Sequence, residues 1–301
     1  DAFHENVPDA WIDRLFAVCA LTPQHTHMIL TKRSARMREY FRRAGVVGNV
    51  GSYPGHAILA AMDGLSRTKW PDLCWPLPNV WLGVSVEDQQ RAEERIPDLL
   101  ATPAAVRFIS AEPLLAPVDL EEWLLCPNAR DGLSMDPTTG AYECCKNCDW
   151  TGLIGGLDWV IAGGESGSDA RPMHPDWARS LRDQCAEAGV AFHFKQWGEW
   201  APVCAFDLDA MDDHLYRPRL ARHQPEGPRR CRVGQMVLHA NGDRFDLDEW
   251  SRCTHPAGTL AAYAAGTSHM MMMAIGKKRA GRLLDGREWS ERPSTDGASH
   301  A

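Results

Sequence analysis

Five apolar runs along the chain end abruptly in charge: His27 to Arg33 (HMILTKR), Val80 to Asp88 (VWLGVSVED), Val106 to Pro113 (VRFISAEP), Leu157 to Gly167 (LDWVIAGGESG) and Val190 to Gly198 (VAFHFKQWG). Each is short, continuous and rich in β-branched or aromatic residues, which predicts a buried parallel strand. Between them the period changes to that of a helix. Pro8 and Asp9 open one with apolar groups at Trp11, Leu15, Phe16 and Cys19. Ser34 is the expected cap of a helix from Ala35 to Arg43, and His56 to Leu65 forms a shorter one. Asp88 to Leu100 places Ile96, Leu99 and Leu100 inward, with Pro97 as an expected kink. His174, Pro175 and Asp176 start a helix carrying Trp177, Leu181 and Cys185 on one face, and Gly189 ends it. Alternating strands and helices, with polar groups at the carboxyl ends of the strands, predict an α/β barrel or a doubly wound sheet.

The rhythm breaks in two places. Residues 121–156 hold Pro, Gly, Asn, Asp and four clustered cysteines without an amphipathic period, which predicts an insertion. Beyond Ala201 the strand–helix units stop, and Met236 to Leu247 predicts a hairpin with a type I′ turn at Asn241-Gly242. The expected organisation is a partial α/β barrel over 1–200, an extension over 201–289 and a disordered tail over 290–301.

Composition narrows the function classes. With 44% hydrophobic residues in 301, a real core is affordable, and the chain has no run of eighteen apolar residues and no basic-then-apolar start. Neither a membrane span nor a secretory leader is therefore expected, and a cytoplasmic location is the default. A net charge of −8 argues against a general electrostatic grip on nucleic acid, leaving Gly276 to Arg282 (GKKRAGR) as a local basic cluster: a solvated helix face, or a phosphate contact. The sequence starts at Asp1 rather than Met, just ahead of a helix, so a missing amino-terminal piece is expected.

Glu87, Glu112 and Glu165 end three successive strands and are flanked by Lys32 and Lys195. Like charges facing one mouth cost stability unless something binds there. Three carboxylates could hold Mg²⁺ with a lysine as base, making Lys32, Glu87, Glu112 and Lys195 catalytic candidates in a lyase or hydrolase. The structural alternative pairs each glutamate with Lys32, Arg33, Arg107 or Lys195. Cys126, Cys144, Cys145 and Cys148, spaced C-x17-C-C-x2-C, are candidate zinc ligands, with Cys126, Cys145 and Cys148 the expected three and Cys144 the fourth; an auxiliary iron–sulfur cluster or free thiols are the alternatives. His25, His27 and His56 are expected to be structural, because His27 begins its strand and the mouth lies at the other end. Met270 to Met273 is expected to fill a core or a partner groove.

Taken together, LTKR, VWLGVSVED, RFISAEPLL, WVIAGGESG, FHFKQWGEW and GKKRAGRLLDGREW make the chain resemble a phage-associated bacterial family similar to radical S-adenosylmethionine (SAM) barrels. The resemblance runs from Phe3 to Trp289. It implies a partial (βα)6 barrel of the TIM type with its first βα unit missing, together with the three-cysteine loop that would ligate a [4Fe-4S] cluster. It also implies a SAM site of Ser85, Ser110, Glu112, Gly163, Gly164, Glu165 and Ser166, in which the glycines let backbone approach the ligand, while Lys32 and Lys195 meet a carboxylate or a substrate phosphate. The implied substrate is a small or nucleic-acid-derived molecule, and a protein partner encoded nearby is a further expectation. A non-catalytic, phage- or defence-associated binding protein that keeps the barrel as scaffold is the remaining alternative.

Overall fold

The computed structural model describes residues 1–43, 56–65, 76–124, 134–135, 142–143, 156–206, 216–218, 230–253 and 268–293. The four cysteines of the insertion and the glycine-rich stretch 45–54 lie outside the described residues. Within the insertion, β4 (Ser134–Met135) and β5 (Tyr142–Glu143) pair antiparallel.

Five parallel strands form the main sheet: β1 (His27–Thr31), β2 (Val80–Ser85), β3 (Val106–Ala111), β6 (Trp159–Gly163) and β7 (Ala191–Gln196). Their order, β1-β2-β3-β6-β7, follows the chain without reversal. A doubly wound sheet needs a reversal at its switch point, so that alternative falls away, and same-direction right-handed crossovers put the helices on one side. Among the described residues the sheet does not close, and β1 and β7 are its edges.

The helices follow the predicted pattern with local corrections. Helix α1 (Asp9–Leu21) buries Ile12, Phe16 and Cys19, a stripe at i, i+4 and i+7, whereas Trp11 falls one residue off that stripe and is 66% exposed. Helix α2 (Ser34–Arg43) already includes Ser34, whose hydroxyl donates to Asp98 Oδ2 (2.8 Å) instead of serving as a cap. Helix α3 spans His56–Leu65. In α4 (Gln89–Leu100) the Asp88 side chain accepts from the Arg91 amide (2.9 Å), and Ile96 and Leu99 are buried. In α5 (Pro175–Ala188) His174 Nδ1 accepts from the Asp176 amide, Trp177, Leu181 and Cys185 are buried, and Gly189 takes the left-handed conformation (φ 68°) that stops the helix.

Strand alternation gives the sheet two unlike faces. Ile29, Leu82, Val84, Ile109, Val160, Phe192 and Phe194 join the helices in the large apolar core. Trp81, Val106, Phe108, Trp159 and Ile161 form a separate cluster drawn from strands alone.

Strands β9 (Tyr216–Pro218) and β10 (Arg230–Arg232) pair antiparallel, and a second sheet, antiparallel and ordered β12-β11-β13-β8, is built from β8 (Trp200–Pro202), β11 (Gly234–His239), β12 (Arg244–Phe245) and β13 (His269–Ala274). Met270 to Met273 occupy the interior strand β13, each no more than 1% exposed, so both faces of that strand pack and the run fills a core. The hairpin joins β11 to β12 as expected, but its turn differs from type I′. Gly242 alone has positive φ (100°), its amide donates to the His239 carbonyl (2.9 Å), and the His239 amide donates to Asp243 O (2.8 Å). These bonds describe a type I turn with a glycine bulge, in which Asn241 need not take the left-handed conformation.

The predicted tail begins later than Ser290. Ser290 bridges His193, the Phe194 amide donates to Trp289 O (2.9 Å), and the Phe192 amide donates to Glu291 Oε2 (3.1 Å), so this segment lines the outer edge of β7. A sheet edge covered in this way is protected from pairing with other chains. Residues 294–301 lie outside the described residues.

Candidate functional site

Rows of side chains cross the second face of the parallel sheet, and register defines them. Leu30, Gly83, Phe108, Trp159 and Ala191 are Cα partners in sequence, as are Ser85, Ser110, Ile161 and His193 one step nearer the carboxyl ends. Gly83 is required by its neighbour: a Cβ there would lie 2.4 Å from the Phe108 ring, which covers it. The first row is thus an aromatic floor, with Trp81 edge-on to Trp159 (5.8 Å) and Trp159 against Phe108 (5.9 Å). The second row is polar, and beyond it stand the charges.

The charges are paired one by one. Lys32 Nζ donates to Glu87 Oε1, and Arg95 donates to Glu87 Oε2 (2.8 Å). Lys195 and Gln196 donate to the two oxygens of Glu112 (2.8 and 2.9 Å). Arg171 grips both oxygens of Glu165 (2.8 Å each). Burial pushes the Glu87 carboxyl up, but the Lys32 hydrogen bond and the Arg95 charge outweigh it and hold the group below the usual carboxylate range. The Arg171 hydrogen bond holds Glu165 down at about 2. A cleft of about 370 Å³ opens between these groups, with Lys32, Glu87, Arg95, Pro113, Glu165 and Arg171 among its walls. A larger depression of about 510 Å³ lies between α4 and the turn at 119–122, but Glu93, Asp119, Glu121 and Glu122 wall it with acids that face no opposing cation.

The structure therefore brings Lys32, Glu87 and Glu165 to one cleft, and puts Glu112 with Lys195 and Gln196 in a neighbouring cluster. Among the described residues no three carboxylates, imidazoles or thiols group so as to hold a metal ion, and Glu87, Glu112 and Glu165 each face a cation instead. Of the predicted partners, Lys32 and Lys195 take the expected role. Arg33 instead pairs with Asp1 (3.0 Å). Arg107 is buried on the helix side, where its Nε donates to Thr102 O (3.3 Å) and its amide to Asp158 Oδ2 (2.6 Å). His27 Nε2 meets the Thr22 hydroxyl (2.8 Å) at the opposite end of β1 and is structural.

The glycines at the ends of β6 and β7 have a structural job. A Cβ on Gly164 would lie 1.9 Å from Trp197 O, and one on Gly198 (φ 83°) would lie 2.1 Å from Glu165 O. Their closeness lets the ends of β6 and β7 bond backbone to backbone, through Gly164 N to Gln196 O (2.9 Å) and Glu199 N to Glu165 O (2.8 Å). Gly163 packs beside the Glu112 side chain, and Ser166 Oγ accepts from Gln196 Nε2 (3.2 Å). The turn thus aims Glu165 by locking two strand ends together.

Sequence reasoning missed Arg95, Arg171 and His193. Arg95 lies two helical turns beyond Glu87, and Arg171 follows Glu165 across a glycine turn, spacings that carry no recognised motif. His193 was within reach, since it alternates with Ala191 and Lys195. The basic stretch forms a short helical turn, Lys277–Ala280, anchored to the end of β7 through Trp197 N to Gly281 O (3.1 Å).

A family model matches residues 1–293. The chain belongs to the DUF5131 family. That family is described as a protein of unknown function, and no curated protein and no solved structure matches the chain. In this DUF5131 chain no described helix is long and apolar enough to cross a membrane.

Proposed function

We propose that this chain is a SAM-binding α/β enzyme whose parallel sheet is an arc of a barrel of the radical-SAM type, with the ligand at the carboxyl ends of β2, β3, β6 and β7. One observation carries this reading: opposite charges stand in close pairs around a cleft at those strand ends, beside hydroxyls that have no partner among the described residues. A zwitterion such as the methionyl end of SAM can exchange with such pairs group for group, its carboxylate taking a cation and its ammonium taking a carboxylate. Glu112 would receive the ammonium in place of Lys195, and Lys32 or Arg171 would hold the carboxylate. Bound there, SAM would supply an activated methyl or adenosyl group. The residues fit SAM better than they fit an iron–sulfur cluster. Among the described cysteines, Cys19 and Cys185 are buried on separate helices with thiols pushed up to about 11 and about 12 by desolvation, and Cys204 lies in a turn. Such thiols are poor ligands. Magnesium chemistry is less favoured, since each carboxylate would first have to leave its cation.

Titration calorimetry tests the reading. The chain should bind SAM at one saturable site, at least tenfold more weakly in Glu112→Gln and unchanged in Glu93→Gln, whose carboxylate is on the exposed side of α4. Absence of binding at millimolar SAM, or equal affinity in both variants, would reject it.

A further inference from the structure

The second face of the parallel sheet concentrates polar groups that have nothing to bond. Trp81 Nε1, Trp159 Nε1 and His193 Nδ1 are buried without a hydrogen-bond partner. Beside these three sealed atoms, the Ser85 and Ser110 hydroxyls, on residues 5% and 6% exposed, stay open to solvent and have no hydrogen-bond partner among the described residues. All five belong to neighbouring strands and to one face. Ser85 is the Cα partner of Ser110, Ser110 of Ile161 and Ile161 of His193, and Trp159 meets the His193 ring at 6.1 Å. Buried polar groups are almost always satisfied, so unsatisfied ones gathered on one face are a stability cost that a ligand can relieve.

The chemistry of the surroundings narrows that ligand. The charges beyond this row are already matched, Lys195 with Glu112 and Lys32 with Glu87, so the row offers no spare charge for an ion. The His193 imidazole is held neutral, its affinity for a proton lowered by burial and then by the nearby cations Arg292, Lys195 and Arg282. A neutral imidazole and two hydroxyls each offer both a donor and an acceptor, whereas the indoles donate only. An aliphatic ligand would leave these groups unsatisfied. The floor of Phe108, Trp159 and Ile161 suits a flat ring.

We propose that this face binds the planar, uncharged heteroaromatic ring of the substrate, of the nucleobase kind, through Ser85, Ser110 and His193 above the Trp81–Phe108–Trp159 floor. The proposal deepens the reading of the same site as a SAM enzyme, and rests on it for calling the ring the substrate's. The ring subsite lies one row deeper in the sheet than the paired charges assigned to SAM.

The test uses the whole chain with SAM at saturating concentration, and cytidine, uridine, guanosine and inosine as probes, followed by quenching of tryptophan fluorescence and by calorimetry. Adenosine is left out because SAM contains it. At least one nucleoside should bind saturably with one-to-one stoichiometry, and should lose tenfold or more in affinity in the Ser85→Ala, Ser110→Ala double variant and in Trp81→Phe, which keeps a ring but removes the N–H. Circular dichroism melts confirm that the variants fold. The proposal is overturned if no nucleoside binds at millimolar concentration, if the variants bind as well as the parent chain, or if nucleosides bind only when SAM is absent, since the pocket would then be SAM's own. If nucleosides bind and SAM does not, the ring subsite stands while the assignment of SAM fails.

Discussion

The two faces of the parallel sheet are made from alternate residues of the same strands, yet they are built to different ends. On the helix side, Leu82, Val84, Ile109, Val160, Phe192 and Phe194 are each no more than 1% exposed and pack into one continuous apolar core. On the other side, a floor of Trp81, Phe108 and Trp159 gives way along each strand to hydroxyls and an imidazole, and then to carboxylates paired with cations. Met28 and Leu30 at the edge of that face remain 48% and 41% exposed. One face is filled almost wholly by apolar side chains; the other holds bonding capacity that the described residues leave unused. The difference teaches where stability and function are separated in this chain, since one residue's step along a strand moves from one purpose to the other.

The sharpest way to break that comparison is to cut into both faces. Phe194→Ala empties a site where the ring is 1% exposed and packs edge-on to Trp197 at 4.9 Å. A buried Phe→Ala change costs about 3–5 kcal/mol, so urea unfolding should show a loss of that size. Leu30→Ala on the other face should cost less than about 1 kcal/mol, because its side chain is already partly in water. Equal losses would mean that the second face is as tightly packed as the first.

At the rim the comparison becomes one of pH. Glu165 is held at about 2, first by its hydrogen bond to Arg171. Its unfolded value is roughly 4.3. The folded pKa is the lower one, so the stabilisation is present above roughly pH 4.3 and is lost as pH falls towards 2. In Arg171→Ala a carboxyl-carbon NMR titration should place Glu165 near its ordinary value, and the slope of stability against pH over that window should flatten. The pair is partly exposed, 46% for Arg171 and 24% for Glu165, so solvent screening limits its worth to about 0–1 kcal/mol. A Glu165 titration that does not move in the variant would show that some other group holds the carboxylate down.

Much of the frame was legible in the sequence because it is written in local periods. Helix α3 begins and ends as read, and strands β1, β2, β3, β6 and β7 each lie inside their predicted apolar run. The apolar runs, Pro175 and Gly189 each carry their own signal. What could not be read depends on contacts across the sheet. That Glu165 answers to Arg171 and Glu87 to Arg95 follows from how a turn and a helix return to the strand ends. That Gly164 closes the β6–β7 junction follows from the approach of Trp197 O, thirty-three positions later in the chain. Trp11 was misplaced because an apolar residue beside the stripe looks the same in sequence as one within it. The turn at Asn241-Gly242 was misnamed because the same dipeptide suits two hairpin geometries that differ by one bulged residue.

The smallest predicted effect is the most telling. Ser110 is 6% exposed, and its hydroxyl lies among other polar groups of the second face with no partner among the described residues. Ser110→Ala removes that hydroxyl and leaves behind no donor or acceptor that had depended on it. Deleting a buried polar group normally costs stability because its partner is stranded, but here there is no partner to strand. The substitution should therefore be neutral or stabilising, within about 0.5 kcal/mol in urea unfolding, as expected where a fold keeps a group for binding at some cost to itself. Thr31→Val is the contrast: Thr31 Oγ1 donates to Asp1 Oδ1 (2.7 Å) and accepts from the Arg33 amide (2.9 Å), so its loss removes two bonds and leaves the Arg33 amide without this acceptor, and should cost about 1–3 kcal/mol. If Ser110→Ala proved as costly as Thr31→Val, the Ser110 hydroxyl would have a structural partner in solution, and the second face would be a second core.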